Sequence, residues 1–444
     1  MNQTSLDVRT FINQRTMSSY QWVLVCLCFL IVAVDGMDVA IMGFAAPSIL
    51  TDWQITRASF GIVMGAAPLG LAFGALIAGS SSDWLGRRKV LMASVFGFGV
   101  CTLITAFTHS PTEMAILRFL TGFGLGAAMP NASTLMSEYV PERSRGVLLT
   151  IMFTGFNLGS ALIGFVAAYL LPTHGWRTLL FFGGVAPLAL LPLLYSYLPE
   201  SARFLVVRNY PTDKIRKVLS RVCQFNLDHV REFISVESTV AVKQPIAVLF
   251  TKLYALRTLT LWVTYFMGLL VIYLATSWMP TMMKDAGMSI DQAANLTAMF
   301  QLGGTIGAIV IGACMDRFNP NRVIAFSYLA GSAFLIALGV AGLLSSWIVF
   351  LVVAVGFFLS GAQTGLNAFA PGCYPTLARA TGVSWMLGIG RFGSILGSAI
   401  GGLLIGIGWD FGVIISLLAI PAAIAALAIF INRLSFKSDE FISE

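Results

Sequence analysis

The chain has 444 residues, 57% of them hydrophobic and 11% charged, against roughly 25% charged in a soluble globular domain. With a mean hydropathy of +0.84 it cannot cover a water-facing surface, so most of it has lipid for its solvent. The net charge of +7 therefore does not point to nucleic acid; what matters is how the charges divide between loops and apolar runs. A crossing needs roughly 20 apolar residues. Twelve runs qualify, at 21–48, 58–82, 88–108, 113–135, 146–171, 176–198, 256–279, 292–315, 321–343, 346–370, 380–405 and 410–431. The first, from Trp22, is too long for a signal-peptide core and lacks a small-residue cleavage site, so it reads as a retained span. Ahead of it, LDVRTFINQR (6–15) reads as a short interfacial helix. Between the sixth and seventh runs lies the one long polar stretch, Glu200 to Lys252. The expected organisation is an all-α membrane protein of twelve transmembrane helices in two pseudo-symmetric six-helix bundles. The first bundle is 1–198, the linker loop 199–252 and the second bundle 253–444.

Two observations support the division. Gly70, Gly74, Gly79 and Asp83 recur as Gly303, Gly307, Gly312 and Asp316, all shifted by 233 residues. A period of more than half the chain implies two large homologous halves, an architecture of many secondary transporters. Placing both termini in the cytoplasm puts 22 of the 27 Lys and Arg in cytoplasmic segments, as the positive-inside rule requires. Trp53, Trp176 and Trp347 then mark the outer interface. The six cysteines lie mostly in apolar runs, with neither zinc-ligand spacing nor a disulfide framework. His109, His174 and His229 are too scattered for a metal cluster, and no Walker-type Gly-Lys-Ser/Thr occurs. No cofactor is expected.

Four ionisable side chains sit inside spans, where each costs about 2.5–3.5 kcal/mol on insertion scales: Asp35 and Asp38 in span one, Arg118 in span four and Arg391 in span eleven. At 1.5 Å per residue, Asp35 lies about 21 Å and Asp38 about 25 Å above the cytoplasmic face, Arg118 about 20–22 Å and Arg391 roughly 16 Å. These heights match Asp35 to Arg118 and permit one central site. Two carboxylates at i,i+3 share a helix face and disfavour double ionisation in low dielectric, which suits Asp35 and Asp38 to proton coupling. Gly36 between them permits a close helix approach. Arg118 and Arg391 suit a substrate carboxylate, because the planar fork takes both oxygens and stays charged when desolvated. A fixed Asp–Arg brace is the competing reading. Asn131, Asn157, Gln301, Gln363 and Asn367 are further intramembrane polar residues; Asn131, Gln363 and Asn367 are candidate contacts to a substrate hydroxyl, although interhelical bonds are the commoner fate.

The run Gly79-Ser-Ser-Ser-Asp83-Trp-Leu-Gly86-Arg87-Arg88-Lys89 resembles the loop signature of the major facilitator superfamily between spans two and three. Its second copy, Gly312-Ala-Cys-Met-Asp316-Arg317, is degenerate, with Asn319 and Pro320 in place of the Gly-Arg turn. Leu158-Gly159-Ser160-Ala161 in span five is echoed by Leu396-Gly397-Ser398-Ala399 in span eleven. Asp35-Gly36-Met37-Asp38, followed by Gly43-Phe44-Ala45-Ala46-Pro47, resembles the first-span signature of the aromatic acid:proton symporters. So does the span-four run from Arg118 through Gly122, Gly124 and Gly126 to Pro130-Asn131. The resemblance implies uptake of a benzoate- or hydroxybenzoate-type anion with protons, driven by the proton gradient, by a monomer in the cell inner membrane. It also implies that Asp83 helps close a cytoplasmic gate against the other half. Gly86 makes the tight turn, and Arg87 and Arg88 lie at the headgroups. Asp316 and Arg379 are the weaker counterparts in the second half. By position, Glu138 and Glu142 near the cytoplasmic end of span four read as a hydrated gate network with Arg143 and Arg145. Porters of other metabolites, proton-coupled exporters and a non-transporting membrane sensor share enough of these features to stay open.

Overall fold

The computed structural model describes residues 5–228, 230–234, 249–251, 254–343, 345–374 and 378–440; the side chains of 78–80, 83, 379, 380 and 434–440 lie outside that description. Lipid offers no partner for a backbone N–H or C=O, so a spanning segment must satisfy its own, and an α-helix does. Among the described residues, ten helices are long and apolar enough to cross a membrane. One of them, Glu142–Tyr197, has 56 residues, about 84 Å at 1.5 Å per residue and far more than a core of roughly 30 Å. Gly175 breaks it at φ 75°, ψ 176°, a conformation glycine adopts freely, and so divides it into spans five and six. Pro111–Tyr139 falls outside the ten because it is more polar, yet it is a 29-residue helix packed along spans two and three. It completes the twelve.

The spans are one, Ser19–Trp53; two, Arg57–Leu85; three, Arg87–Thr105; four, Pro111–Tyr139; five and six, the halves of Glu142–Tyr197; seven, Ala255–Asp285; eight, Ile290–Arg317; nine, Pro320–Ala341; ten, Ile348–Phe369; and eleven, Arg379–Gly406. Span twelve is broken into Phe411–Leu417 and Ala419–Glu440. Side-chain caps set several starts: Ser18 and Gln21 form a capping box at span one, and Ser110 caps span four ahead of Pro111. Twelve crossings return the chain to its starting side, here the terminal face; the opposite side is the far face.

The internal repeat has a packing cause. A Cβ on Gly70 or Gly74 would lie 2.0 Å from the carbonyl oxygen of Phe119 or Phe123 on span four. On Gly303 or Gly307 it would lie 2.2 or 2.0 Å from that of Val353 or Phe357 on span ten. In each half the glycines let two helices touch backbone to backbone, as small residues do in membrane bundles. Gly159 meets the carbonyl of Ala33 on span one, and its echo Gly397 meets that of Leu270 on span seven.

The halves join at the far face. Gly61 and Gly65 of span two abut Ala399 of span eleven, Gly43 abuts the carbonyl of Thr276, and Phe60 sits edge-to-face on Trp278. Arg57 pairs with Asp285 at 2.5 Å across the same seam. One apolar core runs through both halves there. Trp53 and Trp176 also meet edge-to-face, but Trp176 is buried and donates to Asp52, so of the three expected interface tryptophans it is a core residue.

Much of the expected linker is built into the first half. Ala202–Val207 and Thr212–Cys223 are helices, and Glu232–Ile234 pairs in parallel with Ser5–Asp7. Phe204, Leu219 and Phe233 share a core with Leu24, Leu135 and Leu194. The amino-terminal helix, Val8–Asn13, buries Val8, Phe11 and Ile12 in that core, with Arg15 stacked 3.6 Å over Phe225. It caps the protein and does not lie free at an interface.

Candidate functional site

Span one carries both acids past span five at a tight crossing. A Cβ on Gly36 would stand 2.0 Å from the carbonyl oxygen of Phe156, and the Ser160 hydroxyl donates to the Gly36 carbonyl at 2.8 Å. This contact fixes how Asp35 and Asp38 face the rest of the bundle, and they meet different surroundings. Asp38 is fully paired. Arg118 donates to Oδ2 at 2.5 Å and to Oδ1 at 3.4 Å, both side chains are 1% exposed, and the Thr102 hydroxyl also donates to Oδ1. The height estimate paired Arg118 with Asp35; the structure pairs it with Asp38, one turn further along. In this state the carboxylate of Asp38 fills the Arg118 fork.

Asp35 is as deeply buried, 2% exposed, yet its Oδ1 has no hydrogen-bond partner. The charge that reaches it from the other half is Arg391, which also acts on Tyr265 and Tyr273. Among the described residues no carboxylate lies within ion-pair distance of Arg391. Arg391 lines a cavity of about 100 Å³ between the halves, walled by Phe153, Phe156, Tyr265 and Tyr273. An engineered cavity of about 150 Å³ admits a benzene ring; at about 100 Å³ this one is smaller, so a ring must widen it on entry. The cavity lies on the terminal-face side of the seam made by Gly61, Gly65 and Ala399.

The expected single chamber is in fact two. Arg118 borders a smaller space of about 20 Å³ with Met64, Ser277 and Ser398, and Tyr273 borders both. Gln363 and Asn367 line the Arg391 cavity together with Asn157 and Ser360. Asn131 does not: its amide donates to the Ala127 carbonyl of its own helix at 2.8 Å. Gln301 donates to Thr276. Tyr265, Tyr273 and Thr102 were not singled out from the sequence. The two tyrosines are eight residues apart, on one helix face, and a tyrosine placed mid-span needs a partner for its hydroxyl; that spacing was the available signal.

At the terminal face Gly86 adopts φ 96°, and a Cβ there would meet the Glu200 carboxylate at 2.4 Å. Glu200 instead accepts from the backbone N–H of Arg88 at 3.1 Å and of Ser201 at 3.0 Å. Arg88 donates to the Tyr195 carbonyl, and Arg87 stands 3.6 Å from Glu138, both 12% exposed. Glu142 pairs with Arg9 at 2.5 Å. Asp316 is exposed. The side chains of Asp83 and Arg379 lie outside the described residues.

A sequence profile described as Major Facilitator Superfamily matches residues 28–281 and 261–442. The chain is 54% identical to the gallate transporter of Pseudomonas putida, over 96% of this chain and 95% of that one. It is 49% identical to the 4-hydroxybenzoate transporter PcaK of Pseudomonas aeruginosa, over 98% and 97%. It is 31% identical to the benzoate transport protein of Acinetobacter baylyi, over 96% and 92%. Among solved structures, the inward-open xylose transporter XylE from E. coli superposes with a TM-score of 0.72 at 17% identity, over 92% of this chain and 95% of that one, a likeness of fold alone.

Proposed function

Because the chain belongs to the major facilitator superfamily, and so is a membrane transporter and not an enzyme, we propose that it imports a small aromatic carboxylate of the benzoate or hydroxybenzoate type together with protons. The observation that carries this reading is Arg391, a guanidinium with no ion-pair partner among the described residues, in a cavity between the halves walled by aromatic side chains. Such a fork binds a carboxylate through two parallel charge-assisted bonds. The three relatives described above, named for gallate, 4-hydroxybenzoate and benzoate, support the same class of cargo.

Asp35 is the proposed proton carrier. It is buried beside the Asp38–Arg118 pair with no partner for Oδ1 among the described residues, and it lies within electrostatic reach of Arg391 in the other half. With the anion on Arg391 and a proton on Asp35, neither group carries an uncompensated charge between the halves. Two neutralised sites between the halves let them rock, and cargo and proton leave on the terminal-face side, which is read as cytoplasmic from the lysine and arginine distribution. The terminal-face network of Gly86, Arg87, Arg88, Glu138 and Glu200 is proposed to rearrange as that side closes, and a gating role for Asp83 is proposed from its place in the loop signature alone. The membrane is the cell inner membrane and no cofactor takes part.

Purified protein in liposomes, given radiolabelled 4-hydroxybenzoate and benzoate under an inside-alkaline gradient, tests both halves of the proposal. Accumulation that a protonophore abolishes is expected. Uptake indifferent to the gradient rejects proton coupling, and no uptake of either acid rejects the cargo class.

A further inference from the structure

Span ten holds two buried polar groups that the cycle above leaves unused. Ser360 and Gln363 are three residues apart, so they share a helix face. Both line the cavity of Arg391, and they are 3% and 6% exposed. Among the described residues, neither the Ser360 hydroxyl oxygen nor Gln363 Nε2 meets a partner in hydrogen-bond geometry, and the Gln363 side chain also lies within reach of the Tyr265 hydroxyl on the same cavity wall. Buried donors are seldom left unpaired, and an orphan calls for an explanation.

The Gln363 amide is held in one orientation. Tyr328 on span nine is wholly buried, and its hydroxyl donates to Gln363 Oε1 at 2.6 Å. With the amide reversed, the tyrosine proton would have no acceptor, so the carbonyl faces Tyr328 and the NH₂ is left to the cavity. Gly268 on span seven leaves room for this pair: a Cβ there would lie 2.1 Å from Gln363 Oε1 and 2.4 Å from the Tyr328 hydroxyl.

We infer that span ten reads the ring substituents of the cargo: Gln363 Nε2 donates to a ring hydroxyl oxygen, and Ser360 completes the bonding of a hydroxyl, while the carboxylate sits on Arg391. The inference rests on the aromatic-carboxylate reading above. Its consequence is selectivity. A hydroxylated benzoate satisfies the two orphans, whereas benzoate leaves both unpaired, and sites built to bond a hydroxyl reject the analogue that lacks it. Tyr328 is a positioning residue that acts through the amide.

Affinities of the purified full-length protein for benzoate, 4-hydroxybenzoate and 3,4-dihydroxybenzoate, measured by calorimetry, provide the test. The hydroxylated acids are expected to bind at least about tenfold more tightly than benzoate. Gln363→Leu should bring that ratio close to one, chiefly by weakening the hydroxylated acids. Tyr328→Phe, which frees the amide to turn, should lower the ratio, and Ser360→Ala should lower it in part. Because Gln363→Leu strands the Tyr328 hydroxyl, the Gln363→Leu/Tyr328→Phe double variant replaces it if the single change does not fold. A ratio near one in the parent protein, or one unmoved by these substitutions, overturns the inference and leaves the cargo class standing. Failure of all three acids to bind overturns both.

Discussion

Asp35 and Asp38 stand one turn apart on span one, and substitution should separate them cleanly. Asp38→Asn leaves the Arg118 guanidinium, 1% exposed, without its counter-ion. Breaking a buried pair from one side costs about 3–5 kcal/mol, so the variant should unfold at a visibly lower temperature in detergent. Asp35→Asn breaks no ion pair found among the described residues, and Oδ1 has no hydrogen bond to lose; it should melt with the parent protein and lose gradient-driven accumulation. Equal loss of stability in the two variants would contradict the assignment of brace and proton carrier. Arg391→Lys keeps the charge but not the fork. A charge-assisted bond contributes about 1.5–3 kcal/mol, so the affinity for an aromatic acid should fall roughly tenfold or more, with no loss of stability, as titration and melting would record. All four intramembrane charges were legible in the sequence, because burying a charge is costly enough to mark a residue wherever it occurs. Their pairing was not. Rise per residue gives height but not the direction a side chain points around the helix, and a long arginine spans the difference of about 4.5 Å between Asp35 and Asp38. Thr102, Tyr265 and Tyr273 are inexpensive in a span, so no cost marked them, and only the eight-residue spacing of the two tyrosines on one helix face hinted at a shared role.

At the scale of helices, the doubled glycine pattern acts as paired backbone seams. Gly74→Ala and Gly307→Ala each press a methyl to 2.0 Å from a carbonyl oxygen, of Phe123 and Phe357 respectively. That overpacking should cost about 1–3 kcal/mol at each site. Gly312 belongs to the same repeat, but a methyl added there would meet nothing within 4 Å. Gly312→Ala should therefore be neutral or stabilising by up to about 1 kcal/mol, through helix propensity alone. Thermal melts of the three variants check the contrast; a Gly312→Ala loss matching the other two would show that the repeat is not about seams. The twelve spans and the repeat were readable because lipid imposes length and apolarity on every crossing. The amino-terminal helix was also expected, over 6–15, but its docking with Thr212–Cys223 into a cap was not. Its segments are short and polar, and they gain their order from long-range contacts such as Phe11 on Phe225 and the Ser5–Asp7 pairing with Glu232–Ile234.

In the whole molecule, the question is what keeps the far face shut while the cavity lies toward the terminal face. The Arg57–Asp285 pair is the visible clasp, but its side chains are 41% and 32% exposed, and exposed pairs contribute about 0–1 kcal/mol. The seam beneath it is backbone-tight: a Cβ on Gly61 would stand 2.6 Å from the Ala399 carbonyl oxygen. The seam, more than the clasp, should therefore set the balance between the two open states. A cysteine at Ser398, 1% exposed behind the seam, reports on it once the six native cysteines are replaced. In cells, with the far face outward as proposed, a membrane-impermeant maleimide reaches that cysteine only when the seam parts. Arg57→Ala should raise the labelling rate at most about fivefold, the equivalent of about 1 kcal/mol. Gly61→Val wedges span two from span eleven, and at about 1–3 kcal/mol of overpacking it should raise labelling by roughly fivefold to a hundredfold. The wedge acts on one end of a two-state element, so the gain outside must be matched by lower access to the Arg391 cavity from the terminal face. If Arg57→Ala opens the far face as far as Gly61→Val does, the ion pair and not the glycine seam governs the transition.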